Sequence, residues 1–442
     1  MKKIDNIQEK MFFICLILGC FFLYSIWALL IPFGEGPDET MRYQIPEFIY
    51  KYGYLPHGGD ERIREQTWGI SYGFTPILSY IFSAFFMKLT SLFSDSFDAL
   101  LLSARFTSVL ASTGTVFICT KIGKKLFDGP FRYVFVISIA LLPQFAFISG
   151  YTNNDAFGIF TVSLVLYALL CTDERQWDFK SCIFLGISIG LCMLSYYNCY
   201  GIIVAAFFYA IVTVCTNKDI DNKFKFIFVR ISWVAIAAFV VAGWWFIRNA
   251  IIYDGDFLGL NTSKAYSEKY AIEMYKPSNR LTPNNLHISL NEMFFGKKWL
   301  EYTSKSFIGV FGPMRIYMEK WNYRLIYIVA IVGALGSFIP KWITGADKKK
   351  VNIILIIACW LMCFITVSLS IYYSYFSDFQ PQGRYCLPML ITLNIIIIYG
   401  WDSLTKRYYS FFRNLIAFLI ILTYAGVLLY ATYDVMIPIY AK

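Results

Sequence analysis

Residues 11–39 read MFFICLILGCFFLYSIWALLIPFGEGPDE, an apolar run that breaks at Pro32 and then delivers Gly34-Glu35-Gly36-Pro37-Asp38-Glu39. An apolar stretch of about twenty residues crosses a bilayer core as a helix. Carboxylates emerging just beyond it are costly to desolvate, so they hold an ion, take a proton or sit in water. Lys2 and Lys3 before the run resemble a signal sequence. The run is long and lacks a small-residue cleavage site, so it is expected to stay as an anchor.

The same kind of run recurs along the chain, at 99–120, 131–150, 155–172, 181–196, 199–216, 227–250, 323–340, 351–373, 386–401 and 411–433. With 442 residues, 58% hydrophobic, 19% aromatic and only 15% charged, the composition is that of an integral membrane protein. The expected fold class is an all-α polytopic membrane protein with about eleven transmembrane helices, one transmembrane domain over 1–433. All eleven cysteines lie in or beside apolar runs and read as buried apolar side chains. The two histidines, His57 and His287, are too few for a His-rich metal site.

The net charge of +10 reflects topology rather than an acidic partner such as nucleic acid. Lys and Arg gather at the N-terminus, 121–132, 175–180, 218–230, 341–350 and 406–413, while the alternate connections hold almost none. By the positive-inside rule these segments face the cytoplasm, as does the N-terminus. A further apolar stretch, 73–94, would invert every later loop if it crossed. It is therefore expected to lie along the outer face or re-enter, which Pro76 permits.

This topology places two long loops outside, 34–98 with juxtamembrane helices and 251–322, plus short turns at 151–154, 197–198 and 374–385. In the first loop, Pro37 suits the first turn of a short helix ending near Ile45, and Pro46 the start of a second ending at Gly53. Asp38 and Arg42 then share a face. The plainer reading of Asp38 and Glu39 is that they complement the helix N-terminus.

Three more polar clusters fall on this side. In Tyr151-Thr152-Asn153-Asn154-Asp155, Asn154 can cap the helix that begins near Asp155. In Gly243-Trp244-Trp245-Phe246-Ile247-Arg248-Asn249, the tryptophans suit an interfacial belt and Arg248 needs an anionic partner. In Asp378-Phe379-Gln380-Pro381-Gln382-Gly383-Arg384-Tyr385, Gly383 lets backbone approach a ligand and Arg384 offers a fork for phosphate. The glycine-rich stretch 306–312 closes the second loop, and Lys297, Lys298 and Lys305 near it read as solvated.

Carboxylates facing arginines at an outer surface suit transfer of a group from a membrane-held phosphate, one carboxylate taking a proton while guanidiniums stabilise the leaving phosphate. ATP is not available there and no phosphate-binding glycine loop is present, so the activated donor is expected to be a lipid. Glu35, Asp38, Glu39 and Asp155 also offer hard oxygen ligands for a divalent cation, Mg or Mn, with Asp38 and Asp155 the candidates.

Five short motifs in order, Pro37-Asp38-Glu39, Asn154-Asp155, Trp244 to Asn249, Phe307 to Gly312 and Gln382-Gly383-Arg384-Tyr385, resemble those of the polytopic GT-C glycosyltransferases. These include protein O-mannosyltransferases and lipid A aminoarabinose transferases; the chain looks most like a bacterial branch of them. The resemblance implies sugar transfer from a polyprenyl-phosphate carrier to a cell-envelope glycan or lipid, in the bacterial plasma membrane. It implies Asp38 as base, Glu39 and Asp155 as further catalytic acids, and Arg248, Arg384 and Arg42 on the donor phosphate. Glu35, Tyr43, Asn154, Asn249 and Gln382 are the candidates for substrate contact. The chain departs from the aminoarabinose transferases at Phe74-Thr75-Pro76, where they carry a phosphate-binding lysine before the proline. It also lacks the C-terminal soluble domain of some relatives, so acceptor binding is expected to fall to the membrane cavity and the 251–322 loop.

Two other classes compete. A transporter or flippase of lipid-linked saccharide would line a pathway with its charged groups, but the polar residues crowd one face and no internal repeat is visible. A scaffold whose outer loops only bind a partner would be indifferent to Asp38→Asn.

Overall fold

A computed structural model describes residues 2–339, 352–406 and 408–441, with side chains from residue 7 onward. Seventeen α-helices dominate the described residues. The first seven are α1 (Lys2–Leu30), α2 (Glu39–Tyr52), α3 (Leu78–Thr90), α4 (Phe97–Leu126), α5 (Phe131–Ala140), α6 (Pro143–Ser149) and α7 (Asp155–Glu174). Then come α8 (Phe179–Met193), α9 (Gly201–Thr216), α10 (Lys223–Ile252), α11 (Leu260–Tyr270), α12 (Trp299–Ile308) and α13 (Lys320–Gly336). The last four are α14 (Ile353–Phe376), α15 (Leu390–Thr405), α16 (Ser410–Tyr430) and α17 (Ile437–Tyr440). A two-residue strand pair, Val310–Phe311 against Ile316–Tyr317, is the sheet among the described residues.

Eight of these segments are long and apolar enough to cross a membrane, nine if the bent pair α5 and α6 is one span. Each of the eleven expected spans has a helix, but α8 and α13 have only 15 and 17 residues. At 1.5 Å per residue these reach about 22 and 26 Å, short of a core of about 30 Å. The doubtful stretch 73–94 contributes α3, whose 13 residues give about 20 Å. It packs along α4, where Ser83 Oγ donates to the Ala104 carbonyl at 2.9 Å.

The ends of the bundle differ in character. At one end Arg132 and Lys124 meet Glu9 (2.8 and 3.6 Å), Lys125 meets Glu174, and Arg413 meets Asp402 and the Asp128 carbonyl. The basic clusters of the N-terminus, 121–132 and 406–413 thus share one end. The cluster at 341–350 and Arg407 lie outside the described residues. At the other end the two long loops pack on each other: Ser267 Oγ donates to the Trp68 carbonyl (2.9 Å) and the Ile272 N–H to that of Thr67 (3.3 Å). Here α17 also arrives, with Tyr440 donating to Glu35 at 3.0 Å.

Two local readings are corrected. Pro46 lies inside a single unbroken α2, which ends at Gly53 in the left-handed region (φ 76°), its N–H on the Ile49 carbonyl. Asn154 places no side-chain bond on α7; Asn153 does, its Oδ1 accepting from the Ala156 N–H at 2.9 Å. All eleven cysteines are free.

Where the helices approach most closely, glycine is required. A Cβ on Gly400 of α15 would lie 1.8 Å from the Gly333 carbonyl oxygen of α13, and one on Gly333 2.6 Å from that of Ile397. Small residues are what allow such backbone contact in a membrane. Gly400→Val is expected to destabilise the protein by about 1–3 kcal/mol or more, read as an earlier thermal unfolding transition in detergent; an unchanged transition would refute this packing.

Candidate active site at the loop end

The site begins with the geometry of the α2 N-terminus. Asp38 sits in the left-handed region (φ 61°, ψ 11°) and makes no capping bond to α2, so it does not serve as a hydrogen-bonding cap. Asp and Asn are the non-glycine residues that best tolerate this conformation, which here aims the carboxylate away from its own helix. Oδ2 accepts from Arg384 Nη2 at 2.6 Å and from the Tyr72 hydroxyl at 2.9 Å, with Arg42 Nη2 at 3.8 Å. Burial opposes ionisation of Asp38, but Arg384 first and Arg42 next outweigh it and hold the carboxyl at about 2. Its side chain stays 34% exposed, so the charge faces a cavity.

Glu39, one residue on, points the other way. It is fully buried and gripped by Arg105 of α4, Nε on Oε1 and Nη2 on Oε2, both at 2.7 Å. The Thr152 and Gly34 N–H groups add bonds at 3.0 and 3.2 Å. Arg105 spends its remaining donors on the carbonyls of Ala28 (2.8 Å), Ile31 (2.6 Å) and Pro32 (3.3 Å), closing the C-terminal end of α1. Glu39 is therefore a structural fastener rather than the free second acid expected beside Asp38, because its oxygens are consumed before any substrate arrives.

Arg42 is 1% exposed and bonds Asp155 Oδ2 (2.8 Å) and Asn154 Oδ1 (3.0 Å), with the Tyr72 ring 4.9 Å away. Arg384 is equally buried: besides Asp38, it bonds Gln382 Oε1 (2.7 Å), the Pro37 carbonyl (3.3 Å) and the Tyr385 hydroxyl (3.0 Å). The result is a chain of alternating charge, Asp155, Arg42, Asp38, Arg384, drawn from three distant segments. Gly383 lets the turn before Arg384 lie on α12: a Cβ there would meet the Phe307 nitrogen at 2.1 Å. It serves packing, not ligand approach, as its N–H on Ser306 Oγ at 2.6 Å confirms.

Two cavities flank this chain of charges and share Tyr72, Thr75, Tyr373 and Tyr385 as a common wall. One, of ≈ 380 Å³, is lined by Arg42, Tyr196 and Asn198 and by one face of α14, Thr366, Leu369, Ser370 and Tyr373. The other, of ≈ 230 Å³, is lined by Asp38 itself with Ser71, Ser263, Arg280, Asp378 and Gln380 from the loops. Asp378 is pushed above the usual carboxylate range by burial, against the opposing pull of Gln380 and Arg280.

The structure thus gathers Asp38, Arg42, Asn154, Asp155, Gln382 and Arg384. It does not bring Arg248 or Asn249 to them. Arg248 bonds the Pro56 carbonyl (2.8 Å) and Asn249 Oδ1 (3.2 Å) and lies over the Trp245 ring, holding the loop at 56–59. Trp245 is fully buried, so only the 39%-exposed Trp244 suits an interfacial belt. Tyr43 packs edge-on against Phe33 and Phe97, and Glu35 holds Tyr440. Arg105, Tyr72 and Arg280 were not foreseen. Of these Arg105 alone carried a signal, an arginine inside an expected span, which demands a buried partner.

The residues present do not fit a divalent cation. The Arg42 guanidinium bonds Asp155 and lies beside Asp38, and among the described residues no three His, Cys, Asp or Glu side chains converge. Asp155 Oδ1 lacks a protein partner, yet no set of ligands gathers there.

A family model described as dolichyl-phosphate-mannose-protein mannosyltransferase matches residues 75–245. No curated protein matches the chain by sequence. Among solved structures, archaeal oligosaccharyltransferase AglB from Archaeoglobus fulgidus, in complex with an inhibitory peptide and a dolichol-phosphate, superposes with a TM-score of 0.58 at 14% identity, over 96% of this chain and 56% of that one. ArnT from Cupriavidus metallidurans bound to undecaprenyl phosphate gives 0.53 at 14% identity, over 94% and 63%. The chain therefore spans little more than half the length of these neighbours, and its fold is that of the polytopic GT-C membrane glycosyltransferases, as the motifs suggested.

Removing one partner of a buried ion pair costs about 3–5 kcal/mol, so Arg105→Leu is expected to lower the thermal unfolding transition sharply. Asp38→Asn also removes a counter-charge from Arg384 but at a part-exposed site whose left-handed backbone Asn tolerates, so it should shift it less. Equal shifts would show that Glu39 and Asp38 do not divide the structural and chemical roles in this way.

Proposed function

We propose that this chain is a glycosyltransferase that moves a sugar from a polyprenyl-phosphate carrier to a hydroxyl of a cell-envelope glycan or lipid, at the outer face of a bacterial plasma membrane. The observation that carries this reading is a carboxylate, Asp38, facing a cavity while two buried guanidiniums, Arg384 and Arg42, stand behind it. The GT-C fold and the carriers bound by two structural neighbours, dolichol-phosphate and undecaprenyl phosphate, support it. An undecaprenyl carrier and a cell-wall glycopolymer are the forms this takes in a bacterium, and the sugar is a hexose or pentose.

In the proposed step the acceptor hydroxyl attacks the anomeric carbon as the bond from that carbon to the phosphate oxygen breaks. The proton passes to Asp38 and the electron pair leaves with polyprenyl phosphate, which gains one negative charge. Arg384 and Arg42 meet that developing charge. Direct displacement inverts the anomeric centre.

A carboxylate at about 2 is a weak base, and the geometry supplies the remedy. Arg384 Nη2 contacts Asp38 in the free protein; a donor phosphate that engages this guanidinium takes it from Asp38 and returns basicity to the carboxylate when it is needed. The cavity bordered by Arg42 and α14 suits the lipid donor, and the polar loop-lined cavity the acceptor. No step here is routed through a metal; a divalent cation at Asp38 or Asp155 would require Arg42 to move away.

The test is sugar transfer by purified protein in liposomes with a panel of polyprenyl-phosphate sugars. Asp38→Asn is expected to lower kcat by about 10²–10⁴-fold, with the product's anomeric configuration opposite to the donor's. Because kcat/KM reports the free enzyme and kcat the bound complex, the acid limb of kcat should lie at higher pH than that of kcat/KM. A retained configuration, or transfer unaffected by Asp38→Asn, would overturn the scheme.

A further inference from the structure

Three guanidiniums border the two cavities or their shared wall, and two are spoken for: Arg42 by Asp155 and Arg384 by Asp38. Arg280, from the second long loop, is different. Its Nε donates to the Tyr275 carbonyl at 2.8 Å, its Nη2 to Ser267 Oγ at 3.0 Å, and its plane lies 5.1 Å from the Trp68 ring. These contacts fix the side chain on the wall of the Asp38 cavity. They leave Nη1 without a protein partner, and among the described residues no carboxylate comes within ion-pair distance.

An arginine held rigidly yet without an ion-pair partner is preorganised for an anion, since its fork matches phosphate and carboxylate and little ordering remains to be done on binding. The neighbouring acids make no ion pair with it: Asp38 is already neutralised by Arg384 and Arg42, and Asp378, whose ionised form Arg280 favours from beyond ion-pair distance, keeps its Oδ2 on the Gln380 amide. The two long loops supply much of the lining, Trp68 and Ser71 from the first and Ser263 from the second. A hydrophilic group entering from the loop side therefore reaches Asp38 and Arg280 together.

We propose that Arg280 recognises an anionic group, a phosphate or carboxylate, borne by the acceptor beside the hydroxyl that receives the sugar. This rests on the transferase reading above and narrows it: the acceptor is a phosphate- or acid-bearing envelope polymer or lipid, not a neutral glycan. Loss of a hydrogen bond to a charged group is worth about 10- to 100-fold in affinity.

The experiment has a binding arm and a turnover arm, each with wild type, Arg280→Gln and Arg280→Lys. Binding of sn-glycerol 3-phosphate and of glycerol to the purified protein is measured by titration calorimetry, without donor. Saturable binding of the phosphate but not of glycerol, weakened at least about 10-fold in Arg280→Gln and partly restored in Arg280→Lys, is the expected result. In the turnover arm, Arg280→Gln should raise KM for a phosphate-bearing acceptor by a larger factor than it changes KM for the donor. Equal binding and equal acceptor KM in wild type and Arg280→Gln would overturn the proposal. A rise in donor KM instead would assign the anion to the lipid phosphate and overturn the acceptor assignment. If wild type turns over no polyprenyl-phosphate sugar yet binds glycerol phosphate through Arg280, the transferase reading fails and the anion site stands.

Discussion

The loop end of this molecule is organised by one buried ion pair, Arg105 with Glu39. All five donors of one guanidinium are used, two on a carboxylate and three on the carbonyls where α1 runs out. Of these, the Ala28 and Ile31 carbonyls would otherwise be orphans at the edge of the membrane, while that of Pro32 also accepts from the Glu35 N–H. A single side chain thereby ends α1, starts α2 and, through the Thr152 N–H on Glu39, sets the turn before α7. Such a pair is expensive to bury and more expensive to break, which suits a part whose task is to hold a backbone in place.

Because Glu39 is held, Asp38 need not be. Adjacent side chains on a helix do not face each other, and with Asp38 in the left-handed conformation the two carboxylates divide, one into the protein and the other toward a cavity. Strain of this kind persists where the surroundings over-determine it. The division explains why two acids one residue apart differ in environment: Glu39 meets a guanidinium on both oxygens, whereas Asp38 keeps an open side.

Much of this was legible in the residues. Apolar runs located the helices, charge asymmetry grouped the basic clusters, and the spacing of Asp38 and Arg42 placed them on one face, 3.8 Å apart in the structure. What was hidden depends on contacts between segments that no local pattern encodes. Gly383 read as a ligand-approach residue because the sequence does not say that α12 passes over it. Arg248 read as a phosphate ligand because its motif cannot reveal that the loop at 56–59 reaches it first. Pro46 read as a break because a missing N–H is a local fact, whereas the packing that keeps α2 straight through it is not. Arg280 carried no pattern at all; its standing comes only from Trp68 and Ser267 closing around it.

The contact between Asp38 and Arg384 joins residues 346 positions apart. A chain made at about 5–20 residues per second needs on the order of tens of seconds to supply the second after the first. Through that interval the acid end of α2 is already anchored, since Arg105 follows Glu39 by only 66 positions. The nascent protein therefore carries a secured scaffold, with Arg42 and Tyr72 beside Asp38, before Arg384 is made. Completion of the site thus follows synthesis of the early helices and is separable from it in time.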